Sequence, residues 1–361
     1  MRQIIISAVA ILCLVGCVNN QKNETMDKQL KLTEQWDKTF ALSEKVRHEK
    51  ITFKTNYGFT LAADLYMPNE IDGQLPAIAV SGPYGAVKEQ VSGRYAMAMA
   101  EKGFLTIAFD PSFTGESSGE PRYTSSPDIN TEDFMAAVDY LTTRDDVDNT
   151  RIGIIGICGW GGIALNAAAI DTRVRATLAV TMYDMTRVNC NGYNDVDDNE
   201  ASRYAKREIV SKQRTIEAQT GLHQRTGGNP KEPTDTMPQF LKDYISYYST
   251  ERGYHERSLG SNGGWNVIGQ QAYLNTRFLH FTNEIRSAVL LIHGEHAHSR
   301  YFSEDAFKYM IDGNPNIDNK ELYIVPNAVH CDLYDGGMPH SAGDDSVIPW
   351  DKIETFFKNN L

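Results

Sequence analysis

Cys158 stands where a regular apolar stretch of the chain meets a run of glycines. Residues 151–157 are rich in isoleucine and glycine, and Gly159 follows the cysteine directly. The β-branched run predicts a buried strand, and the alanine-rich residues 163–170 predict a helix. A sharp turn from strand to helix with a reactive side chain at its apex is a nucleophile elbow. The helix N-terminus would favour a thiolate there, so we predict that Cys158 is a nucleophile.

Two observations oppose this interpretation. Most buried cysteines are small core residues that take no part in chemistry. The second residue after an elbow nucleophile is usually small, whereas here it is Trp160. Either the indole points away from the turn, or the geometry of the turn is altered.

His330 could supply the base that such a thiol needs. It follows an apolar segment, residues 321–325, that predicts the last strand of the chain. A histidine just after the last strand can reach the elbow and act as a general base. A purely structural histidine is the alternative; together with the elbow, we predict that His330 is the base.

Predicted strands alternate with predicted helices on both sides of the elbow. This alternation predicts an α/β fold with a doubly wound, mostly parallel sheet over residues 49–361. The pattern breaks over about 185–286, where polar and aromatic residues surround helical stretches near 201–220 and 237–248. Because this interval is too long for a plain loop, we predict a helical cap over the carboxyl edge of the sheet. Its aromatic residues could line a pocket or pack the cap onto the sheet.

The length and composition limit which classes of function are compatible with the chain. The chain has 361 residues, of which 41% are hydrophobic, and a net charge of −12. That length suits one large domain with an insertion, or two small ones. The acidic balance argues against nucleic acid as a partner and against a broad anionic membrane surface.

The N-terminal sequence is typical of an export signal with a lipid attachment site. Met1 and Arg2 precede an apolar run, and the sequence Leu-Val-Gly-Cys ends at Cys17. This predicts a lipoprotein signal peptide over residues 1–16, a lipid on Cys17, and a tether with an amphipathic helix over 17–48. We therefore expect a lipid-anchored protein of the bacterial cell envelope, at an inner or outer membrane. An uncleaved anchor and an ordinary signal peptide are the alternatives.

After removal of the signal, Cys158, Cys190 and Cys331 remain besides the lipidated residue. An odd number in an exported protein leaves room for a free thiol, as a nucleophile requires. A bridge between Cys190 and Cys331 is possible.

Outside the cap, the chain from about Glu49 resembles the α/β-hydrolase superfamily, and in particular its dienelactone-hydrolase-like and peptidase-like branches. The resemblance rests on five stretches, which are residues 81–85, 109–111 with 115–117, the elbow at Cys158, residues 291–294, and His330. Dienelactone hydrolases use a cysteine, a histidine and an aspartate, so the resemblance implies the same chemistry for Cys158 and His330. The order of nucleophile, acid and histidine is also that of α/β-hydrolases.

The third member of the triad is not evident. In the family it lies a few residues after the His-Gly that ends the penultimate core strand, and here that position is near Ala297. We predict Glu295, the nearest carboxylate, with Asp184 as the alternative. The oxyanion hole is expected to use the backbone N–H of Gly159 and that of Tyr84, since the preceding residue is a proline without an N–H.

No cofactor is expected, since no dinucleotide or phosphate loop appears. His293, His296, His298 and Glu295 are suitable metal ligand types, but their spacing matches no known zinc pattern, so we predict no metal. The sequence thus predicts a hydrolase that cleaves a small-molecule ester or thioester, with a lactone possible. A binding lipoprotein on a hydrolase scaffold and an amide- or peptide-cleaving relative are the alternatives. The oligomeric state cannot be inferred from these residues.

Overall fold

The computed structural model describes residues 30–337 and 347–361. These residues form an eight-stranded sheet in the order β1-β2-β4-β3-β5-β6-β7-β8. The strands are β1 (Val46–Lys54), β2 (Thr60–Pro68), β3 (Leu75–Ser81), β4 (Leu105–Phe109), β5 (Val147–Ile157), β6 (Val174–Val180), β7 (Ala288–Gly294) and β8 (Lys320–Val325). The α-helices of the described ranges are α1 (Val91–Ala100), α2 (Pro127–Thr142), α3 (Gly159–Ile170), α4 (Met185–Asn191), α5 (Glu200–Thr220), α6 (Gln239–Tyr248), α7 (Arg300–Ile311), α8 (Asp332–Asp335) and α9 (Trp350–Asn360).

The sheet combines an antiparallel edge with a parallel centre. β1 pairs with β2 and β2 with β4 in antiparallel register, so β1 and β2 form a hairpin. The pairs from β4 through β3 to β8 are all parallel. The carboxyl ends of six strands, β3 to β8, therefore meet at one edge, where open α/β sheets place their binding sites.

Helices cover both faces of the sheet, each burying an apolar stripe. On one face the core includes Phe134 of α2, Ile163 of α3 and Phe302 of α7. On the other face it includes Tyr95 of α1 and Phe357 of α9. This confirms the prediction of a doubly wound α/β fold, since a parallel sheet needs apolar cover on both sides.

α2 begins at Pro127, with Ser126 as its N-cap. The Ser126 side chain accepts a hydrogen bond from the Ile129 N–H, and the proline fills the first helical position. Both residues are typical of a helix N-terminus, so the capping signal was present in the sequence.

The interval between β6 and β7 contains α4, α5, α6 and short 3₁₀ segments. The helices expected near 201–220 and 237–248 lie at Glu200–Thr220 and Gln239–Tyr248. α6 packs against the carboxyl edge of the sheet, where the ring centroid of Tyr244 lies 5.4 Å from that of His330. Whether this interval behaves as a separate cap stays a prediction.

The prediction of an amphipathic helix within residues 17–48 is wrong over its described part. Residues 30–45 have no helix, and β1 begins directly after them. Contacts that are distant in sequence hold this segment instead, including a 2.8 Å ion pair from Lys38 to Asp64 and one of 2.8 Å from Arg257 to Asp37. The predicted signal peptide and the lipidated Cys17 lie outside the described residues. Within 30–337 and 347–361, every helix is too short or too polar to cross a bilayer.

Candidate active site

The turn between β5 and α3 has the conformation that the sequence predicted. Cys158 has φ 57° and ψ −125°, an unusual conformation for a residue with a side chain. A Cβ at Gly156 would lie 2.2 Å from the Trp160 carbonyl oxygen, and one at Gly159 would lie 2.8 Å from the Tyr84 Cβ. Glycine at both positions therefore lets the strand turn tightly into the helix below the cysteine.

Trp160 does not disturb the elbow, because its indole points into the core. It is 1% exposed and makes edge-to-face contacts with Phe109 and Phe134, whose ring centroids lie 5.8 and 5.4 Å away. Of the two alternatives for this tryptophan, the one in which the indole points away from the turn is therefore correct. The elbow keeps its geometry, and the residue that appeared unfavourable anchors it.

The loop after β3 brings a second backbone amide to the cysteine. A Cβ at Gly82 would lie 2.3 Å from the Ile157 carbonyl oxygen, so only glycine lets this loop approach so closely. The backbone N–H groups of Tyr84 and Gly159 both lower the pKa of the Cys158 thiol through hydrogen bonding. The structure thus brings together the two amides that the sequence proposed as oxyanion donors.

The Cys158 thiol is more buried and less acidic than expected. The residue is 7% exposed, and burial raises the pKa of the thiol, although the two amides and the Tyr334 hydroxyl partly oppose this. The sequence predicted a thiolate stabilised by the helix N-terminus. Because desolvation of the charged form outweighs those hydrogen bonds, the resting side chain is a neutral thiol.

The hydrogen-bond partners of the buried His330 imidazole are hydroxyl groups. Its Nδ1 lies 2.6 Å from the Ser299 Oγ and 2.8 Å from the Thr181 Oγ1, and its Nε2 lies 3.0 Å from the Tyr334 Oη. Burial lowers the pKa of this imidazole well below its usual range, and the nearby His298 and His293 lower it further. His330 is therefore neutral at physiological pH.

A second buried histidine extends this hydrogen-bonded chain. The Nε2 of His293 lies 2.9 Å from the Ser299 Oγ, and its Nδ1 lies 2.6 Å from the Ser303 Oγ. Burial lowers the pKa of His293 to about 3. Ser299 thus joins two neutral imidazoles, and the motif residue His293 acts here as a hydrogen-bonding residue behind the site.

Neither predicted carboxylate lies at His330. Glu295 is exposed and accepts a hydrogen bond of 2.9 Å from the Asn327 N–H. Asp184 caps the N-terminus of α4 and accepts from the Thr186 and Arg187 N–H groups. Both assignments as the orienting acid therefore disagree with the geometry, because each carboxylate is already held by backbone donors elsewhere.

Tyrosines close the remaining sides of the site, and the most important of them, Tyr334, was not among the predicted site residues. The Tyr334 hydroxyl lies 3.0 Å from the His330 Nε2, and it lowers the pKa of the Cys158 thiol, against the effect of burial. Tyr244 and Tyr183 contact the His330 ring from other directions, with ring centroids 5.4 and 5.5 Å away. Helical spacing gave no signal for Tyr334, because α8 begins at Asp332, after His330.

The sequence model of the X-Pro dipeptidyl-peptidase (S15) family matches residues 58–300. The chain belongs to this family. Its elbow and its parallel sheet agree with membership of the α/β-hydrolase superfamily, and the family is one of hydrolases. The finer resemblance to dienelactone hydrolases stays a prediction.

Relatives of this S15-family chain extend over most of its length. The protein PA2218 of Pseudomonas aeruginosa is 48% identical over 98% of this chain and 93% of its own. Its crystal structure superposes with a TM-score of 0.85, covering 92% of this chain and 99% of that one. YcjY of Escherichia coli is 35% identical and covers 80% of this chain and 93% of its own length.

More distant relatives agree in fold. The α/β-hydrolase GrgF of Penicillium has a TM-score of 0.67 at 21% identity, covering 87% of this chain and 99% of that one. A thiohydrolase of Aspergillus aculeatus, aneE, is 33% identical over 38% of this chain and 42% of its own. The first of these shows the fold alone, and the second covers only part of each chain.

Among the described residues, the candidate metal ligands His293, His296, His298 and Glu295 do not form a cluster that could hold an ion. His293 is buried among serines, whereas His296 is exposed. In the described ranges, carboxylates of Glu89, Asp110 and Glu116 do lie close enough to hold an ion. The Lys88 ammonium occupies the centre of that group and pairs with all three. The three remaining cysteines, including Cys190 and Cys331, are free thiols, so the suggested bridge is absent.

Proposed function

We propose that this protein hydrolyses an ester or thioester through an acyl-enzyme formed on Cys158. The supporting observation is the convergence of the Tyr84 and Gly159 N–H groups on the sulfur at the apex of the elbow. Two preorganised donors beside a nucleophile are what a tetrahedral oxyanion needs, and one such donor commonly contributes 10²- to 10³-fold in rate. A purely structural cysteine has no need of them.

In this mechanism the thiol is deprotonated as it attacks, and no resting thiolate is required. The sulfur adds to the carbonyl carbon, His330 receives the proton, and the oxyanion is bound by the two amides. Collapse of the intermediate expels the alcohol or thiol, to which the imidazolium returns the proton. Water then attacks the acyl-enzyme with His330 as base, which releases the acid and restores the thiol.

The orienting group in this proposal is a hydroxyl, Ser299, in place of a carboxylate. Its oxygen can accept the Nδ1–H of His330 at 2.6 Å and so fix the tautomer that leaves Nε2 free to accept. A hydroxyl stabilises an imidazolium less than a carboxylate would, so the base is weak. This favours acyl donors with good leaving groups, such as thioesters and aryl esters, and the thiohydrolase relatives agree with that class.

The decisive experiment compares Cys158→Ala with Cys190→Ala on a panel of aryl esters and acyl thioesters. Cys190 is a half-buried thiol whose sulfur donates to the Tyr273 carbonyl, 3.3 Å away, and it serves as the matched control. We expect Cys158→Ala to lose at least about 10⁴-fold in turnover and Cys190→Ala to retain it. Intact-mass analysis should find one acyl group on the wild type and none on Cys158→Ala.

Two results would contradict the proposal. Equal turnover by Cys158→Ala and wild type would exclude this residue as the nucleophile. An inert wild type, with no acylation across the panel, would favour the alternative of a binding protein on a hydrolase scaffold.

Peptide cleavage is a second candidate, favoured by the family match. An aminopeptidase would bind the substrate's ammonium with a carboxylate close to the reacting groups. In 30–337 and 347–361, no carboxylate hydrogen-bonds Cys158 or His330, whose partners are hydroxyls and backbone amides. Turnover of Xaa-Pro-p-nitroanilides exceeding that of every ester and thioester tested would favour this candidate.

We also propose that the protein is tethered to a membrane of the bacterial envelope by lipid on Cys17. The supporting observation is the small-residue motif that ends at this cysteine. Cys17→Ser should release the protein from the membrane fraction, whereas Cys190→Ala should not. Partition of Cys17→Ser into detergent like that of the wild type would contradict the tether.

A further inference from the structure

We propose that the segment 255–265, in the interval between β6 and β7, positions the backbone amide of Tyr84 for binding an oxyanion, with Ser258 as the positioning residue. This inference rests on the proposed function, in which that amide is one of two oxyanion donors. It gives the inserted interval a part in the chemical step.

The loop after β3 lies directly against the elbow. A Cβ at Gly159 would lie 2.8 Å from the Tyr84 Cβ, so the two backbones are in close contact. Tyr84 lies between Gly82 and Gly85, whose φ values are 103° and 88°. Because glycine is conformationally permissive, other contacts must fix the orientation of the peptide units in this loop.

One carbonyl of the loop accepts three hydrogen bonds from the segment 255–265. The Gly85 oxygen accepts from the Leu259 N–H at 2.7 Å, from the Ser258 Oγ at 3.0 Å and from the Gly260 N–H at 3.1 Å. Ser258 is fully buried. Rotation of this carbonyl would leave buried donors without an acceptor, which is costly, so its direction is fixed.

The three donors act on Tyr84 through one further hydrogen bond. The Gly85 carbonyl shares a peptide unit with the Ala86 N–H, which donates to the Pro83 carbonyl at 3.0 Å. The Pro83 carbonyl shares a trans peptide unit with the Tyr84 N–H. Such a unit is planar, with its C=O and N–H pointing in opposite directions. Holding the Gly85 carbonyl therefore also holds the direction of the Tyr84 N–H.

Side chains of the same segment hold the loop at two further points. The Trp265 indole packs against the Tyr84 ring, with centroids 4.3 Å apart and an interplanar angle of 31°. The Arg257 guanidinium lies 2.9 Å from the carboxylate of Glu89, where the loop leads into α1. The segment is thus fastened to this loop by backbone, ring and charge.

The test compares Ser258→Ala with Ser249→Ala. Ser249 belongs to the same interval, and its hydroxyl donates to the Pro230 carbonyl at 3.0 Å, so the control removes the same kind of hydrogen bond elsewhere. With acyl thioesters, we expect Ser258→Ala to lose about 10-fold in kcat, because the amide binds the oxyanion of the transition state. KM should stay within about twofold of the wild-type value, and Ser249→Ala should match wild type in both constants.

Two reagents for Cys158 separate positioning of the amide from damage to the thiol. Iodoacetamide reacts at a saturated carbon, where no oxyanion forms, so its rate with Ser258→Ala should stay within about twofold of wild type. Hexanal adds reversibly to a thiol and gives a tetrahedral adduct whose oxygen lies at the amides. Its protection of Cys158 from iodoacetamide should need about 10-fold more hexanal in Ser258→Ala.

Trp265→Leu is a second variant, which leaves the Ser258 hydroxyl in place. It removes the ring that packs against Tyr84, so kcat and hexanal protection should fall while the alkylation rate is retained. Phe281→Leu, which removes an exposed ring from the same interval, is its control. If Ser258→Ala has no cooperative urea transition, Trp265→Leu decides by the same readouts.

The outcomes distinguish this inference from the proposed function. Turnover and hexanal protection within about twofold of wild type in the folded variants would overturn the positioning role and leave Cys158 as nucleophile. Equal losses in alkylation and turnover would also overturn it, since the defect would then lie in the thiol. An inert wild type whose hexanal protection still depends on Ser258 would overturn the hydrolase proposal alone, and an inert wild type without such protection would overturn both.

Discussion

Two buried polar clusters lie at the same edge of the sheet, and they are built in opposite ways. The charged cluster follows β3 and β4 and centres on Lys88, whose Nζ lies 2.6 Å from Glu89, 3.0 Å from Asp110 and 2.6 Å from Glu116. The neutral cluster follows β5 to β8 and consists of six residues that share hydroxyl, thiol and imidazole chemistry. They are Cys158, Thr181, His293, Ser299, His330 and Tyr334.

The contrast shows how a buried cation changes the pKa of the carboxylate beside it. Burial alone would raise the pKa of Glu116, yet Lys88 lowers it to about 2. Burial would lower the pKa of Lys88, yet its carboxylates raise it well above the usual value. In the neutral cluster no charge opposes burial, so the pKa of the Cys158 thiol rises and that of His293 falls to about 3. One cluster is held by ion pairs, and the other by hydrogen bonds between neutral groups.

Among the variants that test this comparison, Lys88→Met is expected to have the largest effect on stability. The substitution keeps much of the side-chain volume but leaves Asp110 without its ion-pair partner, while Glu89 keeps Arg257 at 2.9 Å and Glu116 keeps Lys50 at 3.6 Å. Breaking a buried pair from one side typically costs about 3–5 kcal/mol, so we expect a loss of that size in the free energy of unfolding. Urea unfolding with matched m-values would measure it.

Lys358→Met is the control for that experiment. Lys358 is 56% exposed and pairs with Glu354 one helical turn away. Exposed pairs of this kind contribute at most about 0.5 kcal/mol. Equal losses in the two variants would show that the charged cluster contributes no more than a surface ion pair.

The two clusters should also respond to acid at different pH. The folded-state pKa values of His298, at the edge of the neutral cluster, and of His293 are lowered by burial to about 4 and about 3. The unfolded chain therefore binds more protons than the folded one below about pH 6.5, and stability falls as the pH drops from there towards 4. Glu116, with its lowered pKa, contributes stability above about pH 4.5 that is lost towards pH 2.

Urea midpoints measured from pH 8 to pH 3 would test this order. His298→Gln should flatten the dependence between pH 6.5 and 4, and Glu116→Gln should flatten it below pH 4.5. An unchanged slope in the upper range for His298→Gln would mean that this histidine is not held neutral in the folded state.

Much of the fold was predictable because its signals are local. The apolar runs that became β3, β5 and β7 are short, β-branched and bounded by glycine or proline, so each carries its own assignment. The segment 30–45 has helical spacing of apolar residues but no helix. Trp36 donates instead to the Phe40 carbonyl, and Lys38 pairs with Asp64, 26 residues later in the chain. Such a partner could not be inferred from local periodicity.

A smaller effect on stability than that of Lys88→Met is expected from Ser299→Ala. It removes the closer of the two Nδ1 partners of His330 and leaves Thr181 at 2.8 Å. We expect a loss of about 1–2 kcal/mol in stability, and about 10-fold in turnover as the imidazole loses its fixed tautomer. Ser303→Ala, which removes a hydroxyl only from His293, is the matched control and should retain turnover.

Ser299→Asp sharpens the same comparison by placing a carboxylate in the neutral cluster. A negative charge beside Nδ1 raises the pKa of an imidazole. The midpoint of the pH dependence of Cys158 alkylation by iodoacetamide should therefore move to lower pH by at least a few tenths of a unit. No movement, in a folded variant, would show that the neutral character of the site does not depend on the residue at position 299.

The elbow of the site was predictable, whereas its hydroxyl partners were not. Cys158 and His330 lie at strand ends that the sequence marks clearly, and Gly159 follows from the turn. The position expected for the acid is occupied by Ala297, which is buried, and the loop turns so that Ser299 reaches the imidazole instead. Which of several adjacent residues faces inward depends on the path of that loop. That path cannot be inferred from local sequence patterns.

The smallest effect is expected from Glu295→Gln, the variant that the family resemblance would rank among the most damaging. The Glu295 carboxylate is exposed and accepts from the Asn327 N–H at 2.9 Å, a hydrogen bond that the Gln oxygen can replace. We expect stability to change by less than about 0.5 kcal/mol and turnover by no more than about twofold. Asp184→Asn should likewise spare turnover, because asparagine caps a helix nearly as well as aspartate. If Glu295→Gln instead loses about 10²-fold while Ser299→Ala retains activity, the loop must rearrange during turnover. In that case the site works with a carboxylate after all, and the contrast between the two clusters would hold only for the resting enzyme.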